Sequence, residues 1–257
     1  MSETVIQLGD GFWNLRGSFR ILGVVDVGTQ TSLVRRRSGG LIFLDSYTLD
    51  GDMKHRVMEL TDGGAKVEAI LHLHPFPTVH GARMHRDFPG ARLYGTSRHV
   101  ERAPELPWES LRTDSEELHA RFAGDLQFTV PRGVDFISRN ENVHFSSVLA
   151  YHPASKTIHS DDTLSYFKAP GLLRLLMPER LGFHPTLARA LEKRKGAAAD
   201  FRAWAKDLTS RWQDAENLCA AHNHVLRTAG SRPLCQQIDA ALARVAVKLD
   251  AHQKTYG

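Results

Sequence analysis

The sequence predicts an α/β protein, and three observations carry that prediction. Short apolar runs of strand length fill the first 160 or so residues, one stretch reads strand, loop, helix, strand, and apolar residues at helical spacing take over toward the C-terminus. With 257 residues, 42% hydrophobic and 24% charged, the chain can bury a sizeable core, and its composition is unlike a disordered, collagen-like or coiled-coil sequence. The expected organisation is a single domain over 1–257, with a helical section at about 165–257 and no linker that marks a boundary.

Val5 to Leu8 and Phe12 to Phe19 are the first strand candidates. Thr31 to Arg37 then meets Leu41 to Asp45 across Ser38-Gly39-Gly40, where glycines between β-prone runs predict a hairpin. Leu41-Ile42-Phe43-Leu44 is apolar throughout, as expected of a strand covered on both faces, and it delivers Asp45 to a sheet edge. Asp52 to Leu60 reads as a helix stopped by Gly63-Gly64. Val67 to Leu71 is a second buried strand that runs into His72-Leu73-His74, after which Pro75 and Pro77 force an irregular loop. A short helix from near His80 to Asp87 and a strand from Ala91 to Tyr94 complete a βαβ-like unit. Ser115 to Phe122 is predicted helical with Ser115 as its cap. Leu126 to Val130, Val134 to Ile137, Val143 to Tyr151 and Thr157 to His159 read as strands. After Leu164 strand signals almost vanish, and helices are expected over Leu172 to Leu176, Thr186 to Arg194, Ala197 to Trp212 and Cys235 to Gln253.

Several function classes find no support. No run of about 18 apolar residues is present, and the opening MSETVIQLGDG lacks a basic-then-apolar secretory pattern, so the expectation is a cytoplasmic protein with no membrane partner. Cys219 and Cys235 are too few for a disulfide scaffold and lack the spacing of a thiolate zinc site. No phosphate-binding glycine loop occurs. Arg35-Arg36-Arg37 lies in the predicted hairpin, where alternating side chains point to opposite faces, and the net charge is only +4, so solvated charge is expected there and no nucleic-acid partner. A small-molecule substrate remains the expected partner, and the helical end leaves a homodimer surface open.

Histidine is the unusual residue, with 14 in the chain. His72 and His74 stand at i and i+2 at a strand end, so both imidazoles face one side and suit one metal ion. His80 follows the loop, His144 opens a later predicted strand, Asp161 and Asp162 end the strand after it, and His222-Asn223-His224 lies near the end of the helical region. This order, with Asp45 at its strand end and Asp162-Thr163-Leu164 after the later strand, resembles the metallo-β-lactamase superfamily over nearly the whole chain. Phe88-Pro-Gly-Ala-Arg-Leu-Tyr94 and the 152–162 segment look more like an uncharacterised branch than its antibiotic-degrading or glyoxalase members.

The resemblance implies a four-layer αββα sandwich with one or two divalent metal ions, zinc first and iron or manganese as alternatives, where two sheets meet. It implies that His72, His74 and His144 hold one ion, that Asp162 bridges, that His222 holds a second, and that Asp45 orients the ligand loop through hydrogen bonds. It further implies hydrolysis of a small-molecule ester, lactone or related bond by a metal-activated water. The sequence departs from the superfamily's HxHxDH pattern: Phe76 and Pro77 stand where the aspartate and next histidine belong. His80 reads either as that histidine displaced by three residues, with Val79 in place of the aspartate, or as a residue at the surface of a helix N-terminus. Without the aspartate, Asp162 or His80 is left to handle the proton, and a catalytically degenerate binding protein is the alternative reading. His224 competes with His222 and Asp161 with Asp162. His152 and His159 are placed in the turn and strand beside the site, with His159 able to line its mouth. His85, His99 and His119 are expected to face solvent. Tyr166, Phe167, Leu172 to Met177, Phe183, Trp204 and Trp212 are expected mainly in helix packing, with a minority left to shape a substrate pocket.

Overall fold

A computed structural model describes residues 4–18, 20–21, 25–26, 28–76, 78–168, 179–221 and 224–257. A seven-stranded sheet runs in the order β1 (Thr4–Gln7), β2 (Phe12–Gly17), β5 (Thr29–Arg35), β6 (Leu41–Leu44), β7 (Val67–Leu71), β8 (Arg92–Gly95), β9 (Trp108–Arg112). Its first four strands pair antiparallel, and β6 to β9 are parallel. A second, five-stranded sheet has the order β10 (Gln127–Thr129), β11 (Leu149–His152), β12 (Thr157–His159), β15 (Asn217–Cys219), β16 (Val225–Arg227). Two small pairs, β3 (Arg20–Ile21) with β4 (Val25–Asp26) and β13 (Leu164–Phe167) with β14 (Arg180–Phe183), complete the strands.

The layering follows from strand period. Along β6, Ile42 and Leu44 enter the core between the sheets with Phe12, Val34, Leu71, Val148 and Ala150, while Leu41 and Phe43 enter another core beneath α1 (Gly51–Thr61) and α2 (Gly81–Asp87). That is why four consecutive residues are apolar. On the outer face of the second sheet, Leu149, Tyr151, Ile158 and Leu218 meet Phe201, Trp204 and Leu208 of α6 (Ala197–Arg211) and Ile238 of α7 (Leu234–Arg244). The order is helices, sheet, sheet, helices: the expected αββα sandwich.

The hairpin, the βαβ unit and the helices over 51–61, 81–87 and 197–211 form where periodicity placed them. Ser115 caps α4 (Glu116–Phe122), its hydroxyl accepting from Leu118 N at 3.3 Å. Other expectations are corrected. Val143 to Tyr151 is a strand only from Leu149. Its alternation reflects Val143 and Phe145 packing from an extended loop, so His144 opens no strand. Val134 makes an isolated bridge to Leu191 instead of starting a strand. Strands do continue past Leu164, as β13 to β16, but each is three or four residues long and too short to show a period. The helix expected from Thr186 shrinks to α5 (Leu187–Ala190), and the last one breaks at Val245 into α7 and α8 (Ala246–Tyr256). The α3 helix (Ser97–Arg102) and β9 carried no predicted signal, and Leu172 to Met177 lies outside the described residues. Tyr166, Phe183, Trp204 and Trp212 are core residues, whereas Phe167 is exposed.

Candidate functional site

The strands β6, β7 and β8 are parallel, so their C-terminal ends share one edge, the place where open α/β sheets form ligand crevices. Asp45 follows β6 and His72 follows β7. The turn after β12 brings Asp161 and Asp162 to the same edge from the second sheet, and the loop before β11 brings His144. A cavity of about 350 Å3 there is lined by Asp45, His72, His74, His80, His144, Asp161 and Asp162, together with Phe76, His99 and His184.

Asp45 organises the turn between them. Its Oδ1 accepts from Leu73 N at 2.6 Å and from His74 N at 3.0 Å, and its Oδ2 meets His159 Nε2 at 2.9 Å. Burial alone would raise this carboxyl, but the His159 hydrogen bond and the charges of His159 and His74 hold it below the usual carboxylate range. The backbone of Asp45 is left-handed, with φ of 61°, a conformation tolerated best by Asp and Asn among residues with a Cβ.

Behind Asp45 lies a polar relay that sequence reading missed. His159 Nδ1 meets Ser32 Oγ at 2.9 Å, Ser32 accepts from Asn14 Nδ2 at 3.0 Å, and Asn14 also donates to Gln30 Oε1 at 2.9 Å. Gln30 Nε2 reaches Ser160 O at 2.8 Å and Cys219 O at 3.1 Å, while buried Arg16 donates to Ala220 O at 3.0 Å. Side chains of the first sheet thus tie down the carbonyls that precede the Asp161-Asp162 turn and follow β15. The available signal was polar residues at i and i+2, Asn14 with Arg16 and Gln30 with Ser32, which normally mark a solvent face. Here that face is covered by the second sheet.

The individual donors differ. His72 is buried, its Nδ1–H donates to Tyr94 O at 3.0 Å, and Nε2 has no hydrogen-bond partner among the described residues. Burial lowers its pKa and keeps the ring neutral. His80 forms the N-terminal boundary of α2, with Nδ1 at 2.9 Å from Thr48 Oγ1 and Nε2 buried without a hydrogen bond among the described residues. Burial, then the charge of His72, lowers its pKa. His74 Nδ1 contacts Phe76 O and lies 3.4 Å from Asp161 Oδ2, while Nε2 lies 3.5 Å from Asp162 Oδ2. His144 Nε2 bonds Glu141 O, and its ring lies tilted against Phe76 at 5.1 Å and His74 at 6.5 Å between centroids. Burial, then the carboxylates of Asp162 and Asp45, pushes Asp161 well above the usual range, with Arg16 opposing. Thr163 Oγ1 donates to Phe145 O at 2.9 Å, pinning the acidic turn to the His144 loop.

Buried neutral imidazoles with a free Nε2 and the opposite nitrogen engaged by a carbonyl or hydroxyl are what a divalent ion requires of its ligands. The donor chemistry of His72 and His80 therefore fits a metal, whereas the Nε2 of His144 is engaged by Glu141 O. In position the donors form two subgroups, His72 beside His80 and His74 beside the two aspartates, and among the described residues no three His, Cys, Asp or Glu side chains converge on one ion position. His222 lies outside the described residues, and His224 is exposed. Val79 is 65% exposed, so the position read as replacing the missing aspartate points to solvent.

Other expectations need correction. His99 is buried, because α3 folds it against His72 at 4.9 Å and Trp108 at 5.7 Å. His119 is half-buried, stacked on Phe128, and His85 is half-buried too. His152 lies at the opposite end of β12 from His159, bonded to Ser155 Oγ at 2.8 Å. Arg35 and Arg36 pair with Asp10, Glu68 and Asp125.

No protein-family model and no curated protein matches the chain. Solved structures do. DIM-1 metallo-β-lactamase superposes with a TM-score of 0.61 at 14% identity, over 96% of this chain and 98% of that one. A metallo-β-lactamase from Pontibacter korlensis gives 0.60 at 13%, over 95% and 99%. FIM-1 from Pseudomonas aeruginosa, in its mono-zinc form, gives 0.58 at 11%, over 96% and 97%. The chain has the metallo-β-lactamase fold.

Proposed function

We propose that this chain, built on the metallo-β-lactamase fold, is a metal-dependent hydrolase of an ester, lactone or related bond in a small molecule. The observation that carries the reading is His72: a buried imidazole on the cavity wall, fixed through Nδ1 by the Tyr94 carbonyl, with Nε2 unsatisfied. An unpartnered buried nitrogen costs about 1–3 kcal/mol, and a cation is the partner its lone pair suits.

By the superfamily resemblance, His72, His74 and His144 with Asp162 would hold the ion once their two subgroups close on it, zinc first and iron or manganese next, and His80 with His222 would serve a second position. A divalent ion bound there supplies Lewis-acid activation of water and of the scissile carbonyl. The chain's own residues do the rest. Asp45 sets the direction of the His72–His74 turn through its two amide bonds. Where no ion takes that second position, His80, engaged at Nδ1 by Thr48, would hold or pass a proton at Nε2, and Asp162 is the alternative proton carrier. Phe76 and Ala221 give the wall apolar surface, and about 350 Å3 suits a small organic substrate.

A second reading, a binding protein with an incomplete centre, is favoured by the two separate donor subgroups and by Phe76 at the aspartate position. Metal analysis of untagged protein separates the two, followed by ester, lactone and phosphodiester substrates with and without chelator. The hydrolase reading expects at least one bound transition metal per chain and activity lost on chelation. Absence of metal uptake, or turnover that survives complete metal removal, would overturn it.

A further inference from the structure

A second concavity, of about 620 Å3, shares no described lining residue with the histidine cavity. Its described walls are the paired strands β13 and β14, β16 and α7. Lys168, Arg180, Arg227, Arg232 and Arg244 surround it, and Glu179 is the single carboxylate on its described lining. Among the described lining residues the five cations exceed the one carboxylate by four, so the groove carries a local excess of positive charge.

What holds these cations in place matters. Lys168 is neutralised by Glu179 at 2.8 Å. The arginines are not neutralised by any carboxylate among the described residues. Arg227 donates to Gln7 O at 3.3 Å, Arg232 to Gln236 O at 3.1 Å and Arg244 to Leu181 O. Backbone carbonyls orient a guanidinium without cancelling its charge. Partial burial, then the charges of Arg180 and Arg232, disfavours the charged state of Arg244. An arginine does not respond by losing its proton, so guanidinium groups clustered in this way favour a bound anion.

We propose that this groove binds a phosphorylated small molecule, with its phosphate or diphosphate group held by Arg180, Arg232 and Arg244. A single carboxylate would leave most of the excess charge unmet, whereas a phosphate presents several oxygens to planar guanidinium forks. Tyr166, Leu181 and Leu226 give the groove an apolar floor for the organic portion, and its volume lies within the range of small-molecule sites. A nucleic-acid strand would call for a basic track running beyond the groove, whereas these cations are gathered around one concavity.

The test is calorimetric titration of the full chain with inorganic pyrophosphate at low ionic strength, in chelator so that metal–phosphate association does not contribute. Saturable one-to-one binding is expected, weakened at least tenfold in Arg180→Gln and in Arg232→Gln and unchanged in Arg35→Gln, an exposed arginine already paired with Asp10. Both groove residues are exposed, and matching far-UV spectra and melting curves confirm that the variants fold. No saturable binding, or equal binding by all three variants, overturns the proposal. So does a single-stranded oligonucleotide that binds through these arginines while pyrophosphate does not.

Discussion

Asp45 and His159 meet at 2.9 Å, carboxylate Oδ2 to imidazole Nε2, from opposite sheets and 114 positions apart in the chain. The contact joins the two sheets at the edge of the cavity, and the other oxygen of Asp45 holds the amides of Leu73 and His74. One carboxylate thus sets both the spacing of the sheets and the direction of the histidine turn.

Asp45→Ala removes three hydrogen bonds at once and puts alanine at a φ of 61°. Breaking a buried charged network by deleting one member costs about 3–5 kcal/mol. The variant is expected to unfold at a clearly lower urea midpoint, with Asp45→Asn intermediate because the amide keeps one acceptor and tolerates the backbone. Equal midpoints for wild type and Asp45→Ala would contradict this role.

Stability is expected to fall on mild acidification. Burial first, then the charge of His72, lowers the pKa of His99 well below the ordinary imidazole value, so the native state prefers the neutral ring. Its contribution is complete above about pH 6.5 and is lost as pH falls from there toward the folded value. Thr96 N–H also donates to His99 Nδ1 at 3.3 Å, a bond that protonation of that nitrogen would break. Denaturant titrations at pH 7.5, 6.5 and 5.5 should show the decline, and His99→Asn, which accepts the same bond without titrating, should make it shallower. An unchanged slope in the variant would assign the effect elsewhere.

Gly133 has a φ of 74°, and a Cβ there would stand 2.0 Å from Ala197 O at the start of α6. Gly133→Ala therefore combines left-handed strain with a backbone clash and is expected to lose more than about 2 kcal/mol, or to fail to fold. Gly39→Ala, left-handed too but with open space, is expected to cost only the strain. Thermal melts of the pair separate the two contributions.

Metal uptake should depend on the strand-end pair. His72→Ala and His74→Ala are each expected to weaken zinc binding by about an order of magnitude or more, the usual effect of deleting a ligand or its support. His85→Ala, outside the cavity lining, should leave it unchanged. Competition against a chromogenic chelator measures all three, and equal affinities across the set would remove these residues from the ligand set.

Much of the architecture was readable from local pattern. The unbroken apolar run Leu41 to Leu44 announces a strand covered on both sides, and both sides are covered, by different cores. Gly63-Gly64 marks the end of α1 and Pro75 the irregular loop after His74, because backbone restrictions act within one or two residues. The short strands β13 to β16 were not readable, since three or four residues show no period, and neither was the buried character of Asn14, Arg16, Gln30 and Ser32, whose alternation is the same whether water or another sheet covers it.

Sequence alone therefore established the helix and strand segments with long, strong periodicity, and the strand-end placement of Asp45, His72 and His74, since periodicity and chain restriction are properties of neighbouring residues. Three-dimensional packing settled which polar groups lose contact with water and which charges meet. It buried His99 against His72, joined His159 to Asp45, and gathered Arg180, Arg232 and Arg244 around one groove. Desolvation and Coulomb energies depend on distances between remote segments, and those distances exist only once the two sheets have closed on each other.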